Sequence, residues 1–189
     1  MDLTNIPLRS YVIFSLVIIG LSSLALFLMG APLACECGVV KVWGGIKGIE
    51  SSQHLFDFFT YSHAISGIFF YFIIFIFGRR LPIGAKLALA VLLEAGWEIL
   101  ENTEFVTARF REATASLDYG GDSIINSVGD FMAMAFGFYV AHKVWIWVSV
   151  FLIIAIEVLM AIMIRDNIIL NLIMFIHPFE PIRIWQLGR

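Results

Sequence analysis

Residues 83–102 read IGAKLALAVLLEAGWEILEN, an apolar stretch of helical length that ends in an acidic stripe. Glu94, Glu98 and Glu101 are spaced at i, i+4 and i+7, and a period of 3.6 residues places them on one face of a helix. One acidic residue near the centre of a membrane helix costs roughly 2.5–3.5 kcal/mol on insertion scales. Because several carboxylates at this cost are unlike an incidental feature, we interpret this stretch as a membrane helix whose carboxylates have a structural or functional role.

The rest of the chain is as apolar as this helix. Its 189 residues are 60% hydrophobic and 14% charged, with a mean hydropathy of +0.92, whereas soluble domains are about 45–50% apolar and about 25% charged. A soluble fold of this size has too little interior to bury so much apolar surface. The net charge of -3 and the absence of a basic run exclude nucleic acid as a partner. Membrane lipid is the predicted partner.

The apolar runs predict an all-α, polytopic transmembrane helix bundle that forms one domain over residues 1–189. Five runs approach the ~20 residues that cross a ~30 Å hydrocarbon core: 11–30, 61–77, 83–100, 124–141 and 144–164. The first run is long for a secretory signal, so we interpret it as a retained helix. Residues 168–176 are too few to span and precede a proline, which predicts an interfacial carboxyl-terminal segment.

Basic residues predict the orientation. Arg79, Arg80 and Lys86 lie in or beside a short loop without acids, which the positive-inside rule places in the cytoplasm together with the amino terminus. The connections 31–60 and 101–123 then share the outer face with most of the acidic residues.

Cys35 and Cys37 are the only cysteines. One intervening residue is too few for the usual disulfide geometry, and two thiols are too few for a structural zinc site. A strained disulfide, a reduced structural pair and a redox pair all remain open.

A second polar stripe accompanies the first. Ser123, Asn126 and Asp130 fall at i, i+3 and i+7 at the start of the fourth span. Two glycines at 120–121 suit a tight turn before that span, and Asp122 or Ser123 is predicted to cap it.

Two further ionisable residues lie inside spans. His63 is in the second span, and Glu157 lies in the fifth, deeper than the other acids. Together with Glu94, Glu98 and Asp130, these residues must be protonated, paired, bound to a cation or exposed to a hydrated cleft. The structural alternative is a hydrogen-bonded network that only holds the bundle together.

The leading functional interpretation is a site for a divalent cation that polarises a phosphoryl or carbonyl group. The predicted catalytic residues are His63, Glu98, Glu101, Asp122 and Asp130, and the four carboxylates of this set are the predicted metal ligands. Polar and basic neighbours are predicted to bind an anionic headgroup: Asn102, Arg109, Arg111, Asp118, Ser123, Asn126 and Arg165. The substrate would be an anionic envelope lipid or a lipid-linked precursor, which an enzyme converts or a binding protein holds.

Two other functions stay open. The acids could form a proton or cation path of a transporter, with Asp130 and Glu157 as its deeper stations. The chain could instead be a non-catalytic subunit of a membrane complex, or form a homo-oligomer. The sequence has no G-x-S-x-G elbow, P-loop or H-E-x-x-H motif, which excludes the common nucleophilic and nucleotide-driven classes.

Several motifs carry a resemblance to a known family: Cys37-Gly38-x-Val40-Lys41-x-Trp43, Ser52-Gln53-His54, Glu98-x-x-Glu101-Asn102, Ser116-Leu117-Asp118-Tyr119-x-Gly121-Asp122-Ser123-x-x-Asn126-Ser127-x-x-Asp130 and Arg165-Asp166-Asn167. With them the sequence resembles an uncharacterised family of bacterial inner-membrane proteins. More distantly, the order of His, Glu, Asp and Asn along the helices is similar to the VanZ-like membrane proteins associated with glycopeptide-antibiotic resistance. The resemblance implies a multi-pass inner-membrane protein whose polar site is built from these motifs. A VanZ-like relationship would favour envelope lipids or lipid-linked cell-wall precursors as the substrate.

Overall fold

The computed structural model describes residues 6–45, 50–114 and 118–188. Ser116 and Leu117 of the quoted motifs lie outside the described residues. Within these ranges the regular secondary structure is helical, and the pairing of Trp43 with Phe56 is an isolated bridge. The helices are α1 (Leu8–Leu28), α2 (Thr60–Phe77), α3 (Ile83–Glu101), α4 (Glu104–Ala113), α5 (Ile124–Lys143), α6 (Ile146–Ile164), α7 (Ile168–Ile176) and α8 (Glu180–Gln186). The predicted all-α class is confirmed.

The predicted spans correspond to α1, α2, α3, α5 and α6. Four of them, α1, α2, α5 and α6, are long and apolar enough to cross a membrane. Helix α3 has 19 residues, but Lys86 and its three glutamates make it more polar than those four. Its buried positions face α1, α2 and α5. The number of five spans therefore stays a prediction.

Two helices, α4 and α8, were not predicted as helices. Helix α4 lies in the segment that the sequence analysis treated as a connection, because its charged residues interrupt any apolar run. It packs on α7, where the rings of Phe105 and Phe110 meet Phe175 at centroid distances of 6.4 and 5.4 Å. Helix α8 carries Pro181 in its first turn, a position where proline costs no helical hydrogen bond.

Close approach of α2 and α5 sets the centre of the bundle. A Cβ atom on Gly67 would lie 1.9 Å from the carbonyl oxygen of Met134, and one on Gly137 would lie 1.9 Å from that of Ala64. These glycines let the two backbones touch, as small residues do in membrane bundles. The two helices run parallel, and α2 and α5 begin at the end of the bundle where α3 finishes. We call this the site end.

Apolar side chains fill the other half of the bundle. Buried residues of α2, α3 and α5 pack there with Ile18 of α1: Ile74, Ala90, Val91, Met134 and Phe138. The polar stripes thus continue into a packed apolar core.

Glu157 of α6 caps α7. Its two carboxylate oxygens accept backbone N–H groups from Ile168 and Ile169 at 3.1 and 3.2 Å. Asn167 donates its side-chain amide to the Glu157 carbonyl oxygen at 3.2 Å and accepts from the Leu170 backbone. The carboxylate satisfies N–H groups at the start of α7, where helices leave them unpaired, and it complements the helix dipole.

We therefore expect Glu157→Gln to destabilise the protein by about 1–2 kcal/mol, since the amide keeps one acceptor, loses the charge and points an NH₂ group at a backbone donor. Thermal unfolding in detergent measures the loss, and hydrogen exchange at Ile168 and Ile169 localises it. Glu112→Gln, on the exposed face of α4, is the matched control. Unchanged exchange at the start of α7 in Glu157→Gln would contradict the capping role.

Candidate functional site

His63 is the centre of a buried acidic cluster at the site end. Its Nδ1 atom lies 2.6 Å from Glu94 Oε1 and 3.5 Å from Glu98 Oε1, and its Nε2 atom lies 3.8 Å from Asp130 Oδ2. All four side chains are buried, Glu94 and Glu98 completely. Helices α2, α3 and α5 each contribute to this cluster, so the two predicted stripes do face each other around the histidine.

The cluster holds more acceptors than donors. Among the residues that the structure describes, five buried carboxylate oxygens in and beside the cluster have no hydrogen-bond partner: Glu94 Oε2, both oxygens of Glu98, Glu101 Oε2 and Asp130 Oδ1. Potential metal-ligand atoms of His63, Glu94 and Glu98 all lie within 4.8 Å of one another. One imidazole nitrogen and several carboxylate oxygens form a set of ligands that suits a divalent cation. Glu94 was not among the predicted ligands, although its spacing from Glu98 already placed it on the same face.

Asp122 extends the cluster beyond the helix ends. Its carboxylate accepts hydrogen bonds from Asn102 Nδ2 at 2.9 Å and from the Tyr119 hydroxyl at 3.1 Å, and its backbone N–H donates to Asn102 Oδ1 at 2.6 Å. Burial raises the pKa of Asp122, although the hydrogen bond from Asn102 opposes this change. Burial and the carboxylates of Asp122 and Glu101 raise the pKa of Tyr119, so its hydroxyl stays protonated and donates.

Gly121 makes this pairing geometrically possible. Its φ of +98° lies in the left-handed region, and a Cβ atom there would stand 2.7 Å from Asn102 Oδ1. Only glycine suits such a turn without strain.

Ser123 and Asn126 hold a neighbouring loop. Ser123 is the N-cap of α5, accepting from the Asn126 backbone N–H, and its own N–H donates to the Ser52 carbonyl at 2.9 Å. Asn126 Nδ2 donates to the His54 carbonyl at 2.8 Å. Both side chains are buried, and the Ser123 backbone and the Asn126 side chain hold residues 52 and 54 against the start of α5.

Asp57 organises the start of α2. Its oxygens accept from the backbone N–H groups of Ser52 at 2.7 Å, Phe59 at 2.7 Å and Thr60 at 3.2 Å, while Thr60 Oγ1 accepts from the Asp57 N–H. Asp57 is 2% exposed. Asp57 was not among the predicted site residues, although its position three residues before Thr60 is the signal of a reciprocal helix cap.

The predicted anion-binding arginines contact backbone carbonyls. Arg109 Nε donates to Phe175 O at 2.9 Å, Arg111 donates to Tyr119 O at 3.0 Å and pairs with Glu104, and Arg165 donates to Trp185 O at 3.3 Å. These contacts join α4 to α7, the 118–122 turn to α4, and α8 to the end of α6. Asp118 is exposed in that turn. Headgroup binding by these residues stays a prediction.

An apolar groove of about 270 Å³ adjoins the cluster. It lies between α2, α5 and α6, and its lining is Trp43, Phe56, Asp57, Thr60, Tyr61, Ala64, Ala133, Phe136 and Ile156. The ring of Trp43 meets Phe58 and Tyr61 at centroid distances of 5.4 and 5.8 Å. The polar residues of the lining, Asp57 and Thr60, lie where the groove reaches the site end.

The connection after α1 contains a disulfide between Cys35 and Cys37. Of the three alternatives that the sequence left open, the structure contains the disulfide. The disulfide lies close to the imidazole of His54, whose Nε2 atom is 3.0 Å from Glu50 Oε2. Hydrogen bonds from Lys41 and His54 lower the pKa of Glu50, so this carboxylate is ionised at neutral pH.

These features define a membrane protein of several apolar helices with a buried histidine–carboxylate site at one end. Residues 26–188 match the family described as "Protein of unknown function (DUF2585)", and the chain belongs to this family. It is 44% identical over 173 residues to a UPF0314 protein of Brucella anthropi, covering 92% of this chain and 88% of the relative. A UPF0314 protein of Paracoccus denitrificans is 44% identical over 170 residues, with 89% and 88% covered. No solved structure matches the chain.

Proposed function

We propose that the protein is a metal-assisted enzyme or binding protein of the bacterial inner membrane that acts on an anionic lipid or lipid-linked precursor of the envelope. The observation that carries the proposal is the set of buried, unpartnered carboxylate oxygens around His63. Burying a carboxylate without a compensating charge or hydrogen bond is costly. A divalent cation would compensate several of them at once.

Glu98 is the central ligand in this proposal. Among the described residues, neither of its buried oxygens has a hydrogen-bond partner, and Oε1 lies 3.5 Å from His63 Nδ1. Glu98 lies between the inner residues of the cluster, His63 and Glu94, and the outer acids, Glu101 and Asp122. A set of one imidazole and carboxylates suits Mn²⁺ or Zn²⁺ better than Ca²⁺, which takes six to eight oxygen ligands. The cation would polarise a phosphoryl or carbonyl oxygen of the substrate.

The apolar groove supports a lipid as the substrate. It has the size and lining for part of an acyl or isoprenoid chain, and its lining includes Thr60, which lies one helical turn before His63. A chain in the groove would place its headgroup beside the acidic cluster. The resemblance to VanZ-like proteins favours the same substrate class and stays a proposal.

The disulfide supports an orientation with the site end facing the periplasm. Disulfides persist in oxidising compartments and are rare in the cytosol, and Cys35–Cys37 lies in the connection that follows α1. Arg79 and Arg80 follow α2 at the opposite end. Both observations favour a cytoplasmic amino terminus.

A transport function receives less support. Met134 and Phe138 of α5 pack with Val91 of α3 in the half of the bundle beyond the carboxylates. Glu157, proposed above as a deeper station of a path, uses both carboxylate oxygens to cap α7. We therefore favour an enzyme or binding site that opens at the site end over a transport path through the bundle.

Cation binding is the first test. We expect the purified full chain, treated with a chelator and then titrated with Mn²⁺, to bind one equivalent by electron paramagnetic resonance. Glu98→Gln should weaken binding by at least about 100-fold, because losing a ligand exceeds the ~10–100-fold effect of an outer-shell partner. Glu112→Gln, an exposed isosteric change on α4, should leave the titration unchanged. Equal Mn²⁺ binding by wild type and Glu98→Gln would refute the metal site.

The lipid is tested separately. The chain in nanodiscs is incubated with Mn²⁺ and an envelope lipid extract, and both the lipids and the protein are analysed by mass spectrometry. A product that forms with wild type but not with Glu98→Gln would identify an enzyme, and retention of an unchanged anionic lipid would identify a binding protein. If the metal-loaded protein neither formed a product nor retained an anionic lipid, the lipid proposal would be overturned.

A further inference from the structure

Cys35, Cys37 and His54 lie together at the site end, outside the His63 cluster. One donor atom of each lies within 4.8 Å of the other two. Cys35 and His54 are buried, while Cys37 is exposed and gives access from the aqueous side. Two sulfurs and an imidazole are a soft donor set, unlike the carboxylates around His63.

The surroundings prepare His54 as a ligand. Glu50 accepts from His54 Nε2 at 3.0 Å, and a carboxylate only accepts, so Nε2 carries the proton. The lone pair of the neutral ring is then on Nδ1, where the contact with the Lys41 N–H is long at 3.4 Å. Lys41 Nζ pairs with the same Glu50 carboxylate. A carboxylate behind the imidazole is the usual outer-shell arrangement of metal-binding histidines.

The backbone also supports a thiolate. The Cys37 N–H donates to Cys35 Sγ at 3.2 Å in the disulfide, and the same contact would stabilise negative charge on that sulfur after reduction. His54 itself is held in place by its carbonyl, which accepts from Asn126 of α5, and by the backbone pairing of the next two residues, 55 and 56, with residues 41–44. The three donors are thus fixed to the bundle.

We propose that Cys35, Cys37 and His54 form a redox-gated site for a thiophilic cation, Cu(I). As a disulfide the two sulfurs cannot act as thiolate ligands. A dithiol reductant transfers two electrons and two protons to the disulfide, giving two thiols and its own disulfide. Cu(I) then displaces the thiol protons and binds two thiolates and one imidazole nitrogen. Three donors suit Cu(I), whereas structural Zn²⁺ takes four.

The test compares two redox states of the wild-type full chain, so its result does not depend on whether a variant folds. Oxidised and dithiol-reduced protein are titrated anaerobically with Cu(I) against a chromophoric chelator. We expect one equivalent to bind the reduced protein, with a thiolate-to-copper charge-transfer band, and at least about 100-fold weaker binding to the oxidised protein. Equal binding in both states, or binding of Zn²⁺ but not Cu(I), would overturn the proposal.

Variants assign the ligands. Cys37→Ser should weaken both Cu(I) binding and the charge-transfer band, because only the Cys35 thiolate remains, and Glu50→Gln should weaken binding by about 10-fold, the lower range for an outer-shell carboxylate. Glu98→Gln, which removes the centre of the Mn²⁺ site, should keep full Cu(I) affinity and so separates the two sites. If a His54→Gln variant kept full affinity for Cu(I), His54 would not be a ligand.

Discussion

Replacing Gly67 with alanine is expected to destabilise the protein by about 3 kcal/mol or more. The added Cβ would lie 1.9 Å from the Met134 carbonyl oxygen and 2.8 Å from the Phe138 nitrogen, whereas ordinary contacts begin near 3.4 Å. Both are backbone atoms of α5 that cannot rotate away, so the helices must separate. Thermal unfolding in detergent and the yield of monodisperse protein measure the effect.

The same substitution should impair the cation site. Gly67 lies one turn after His63 on α2, and separating α2 from α5 moves the imidazole away from Asp130, now 3.8 Å distant. Gly20→Ala on α1 is the matched control, because a Cβ there meets nothing within 4 Å and alanine favours a helix by about 1 kcal/mol over glycine. If Gly67→Ala melted at or above the wild-type temperature, as Gly20→Ala should, the close packing of α2 on α5 would be wrong.

Asp57→Ala is the second substitution with a large expected effect. It removes the acceptor of three backbone N–H groups, those of Ser52, Phe59 and Thr60, and leaves these donors unpaired in a buried place. Each unsatisfied group costs about 1–3 kcal/mol, so we expect a loss of about 3–5 kcal/mol. Loss of the charge also removes a repulsion that raises the pKa of Asp122, which offsets part of this cost.

Chemical or thermal unfolding of Asp57→Ala checks the magnitude, and hydrogen exchange at Phe59 and Thr60 checks the location. Asp57→Asn, which keeps the shape and one acceptor oxygen, should fall between wild type and alanine. Glu112→Ala, on the exposed face of α4, should change stability by no more than about 0.5 kcal/mol. A wild-type melting curve for Asp57→Ala would show that the three bonds add nothing to stability.

The sequence alone predicted the helical class and most of the carboxylate cluster. Helical periodicity determines which face Glu94, Glu98 and Glu101 share, and apolar runs of span length mark the long helices, because both depend on neighbouring residues only. The same reasoning missed α4 and α8. Their short, charged sequences carry no apolar run, and tertiary contacts such as those of α4 with Phe175 hold α4 in place.

Only the tertiary structure decided which acids lie around His63 and which accept backbone N–H groups. Glu157 and Glu98 look alike in sequence, since each is an acid within an apolar helix. Glu157 accepts the N–H groups at the start of α7, whereas the oxygens of Glu98 lie beside His63 with no hydrogen bond from any residue that the structure describes. A carboxylate's role depends on the donors that other segments bring to it, and residue spacing along one helix contains no information about those segments.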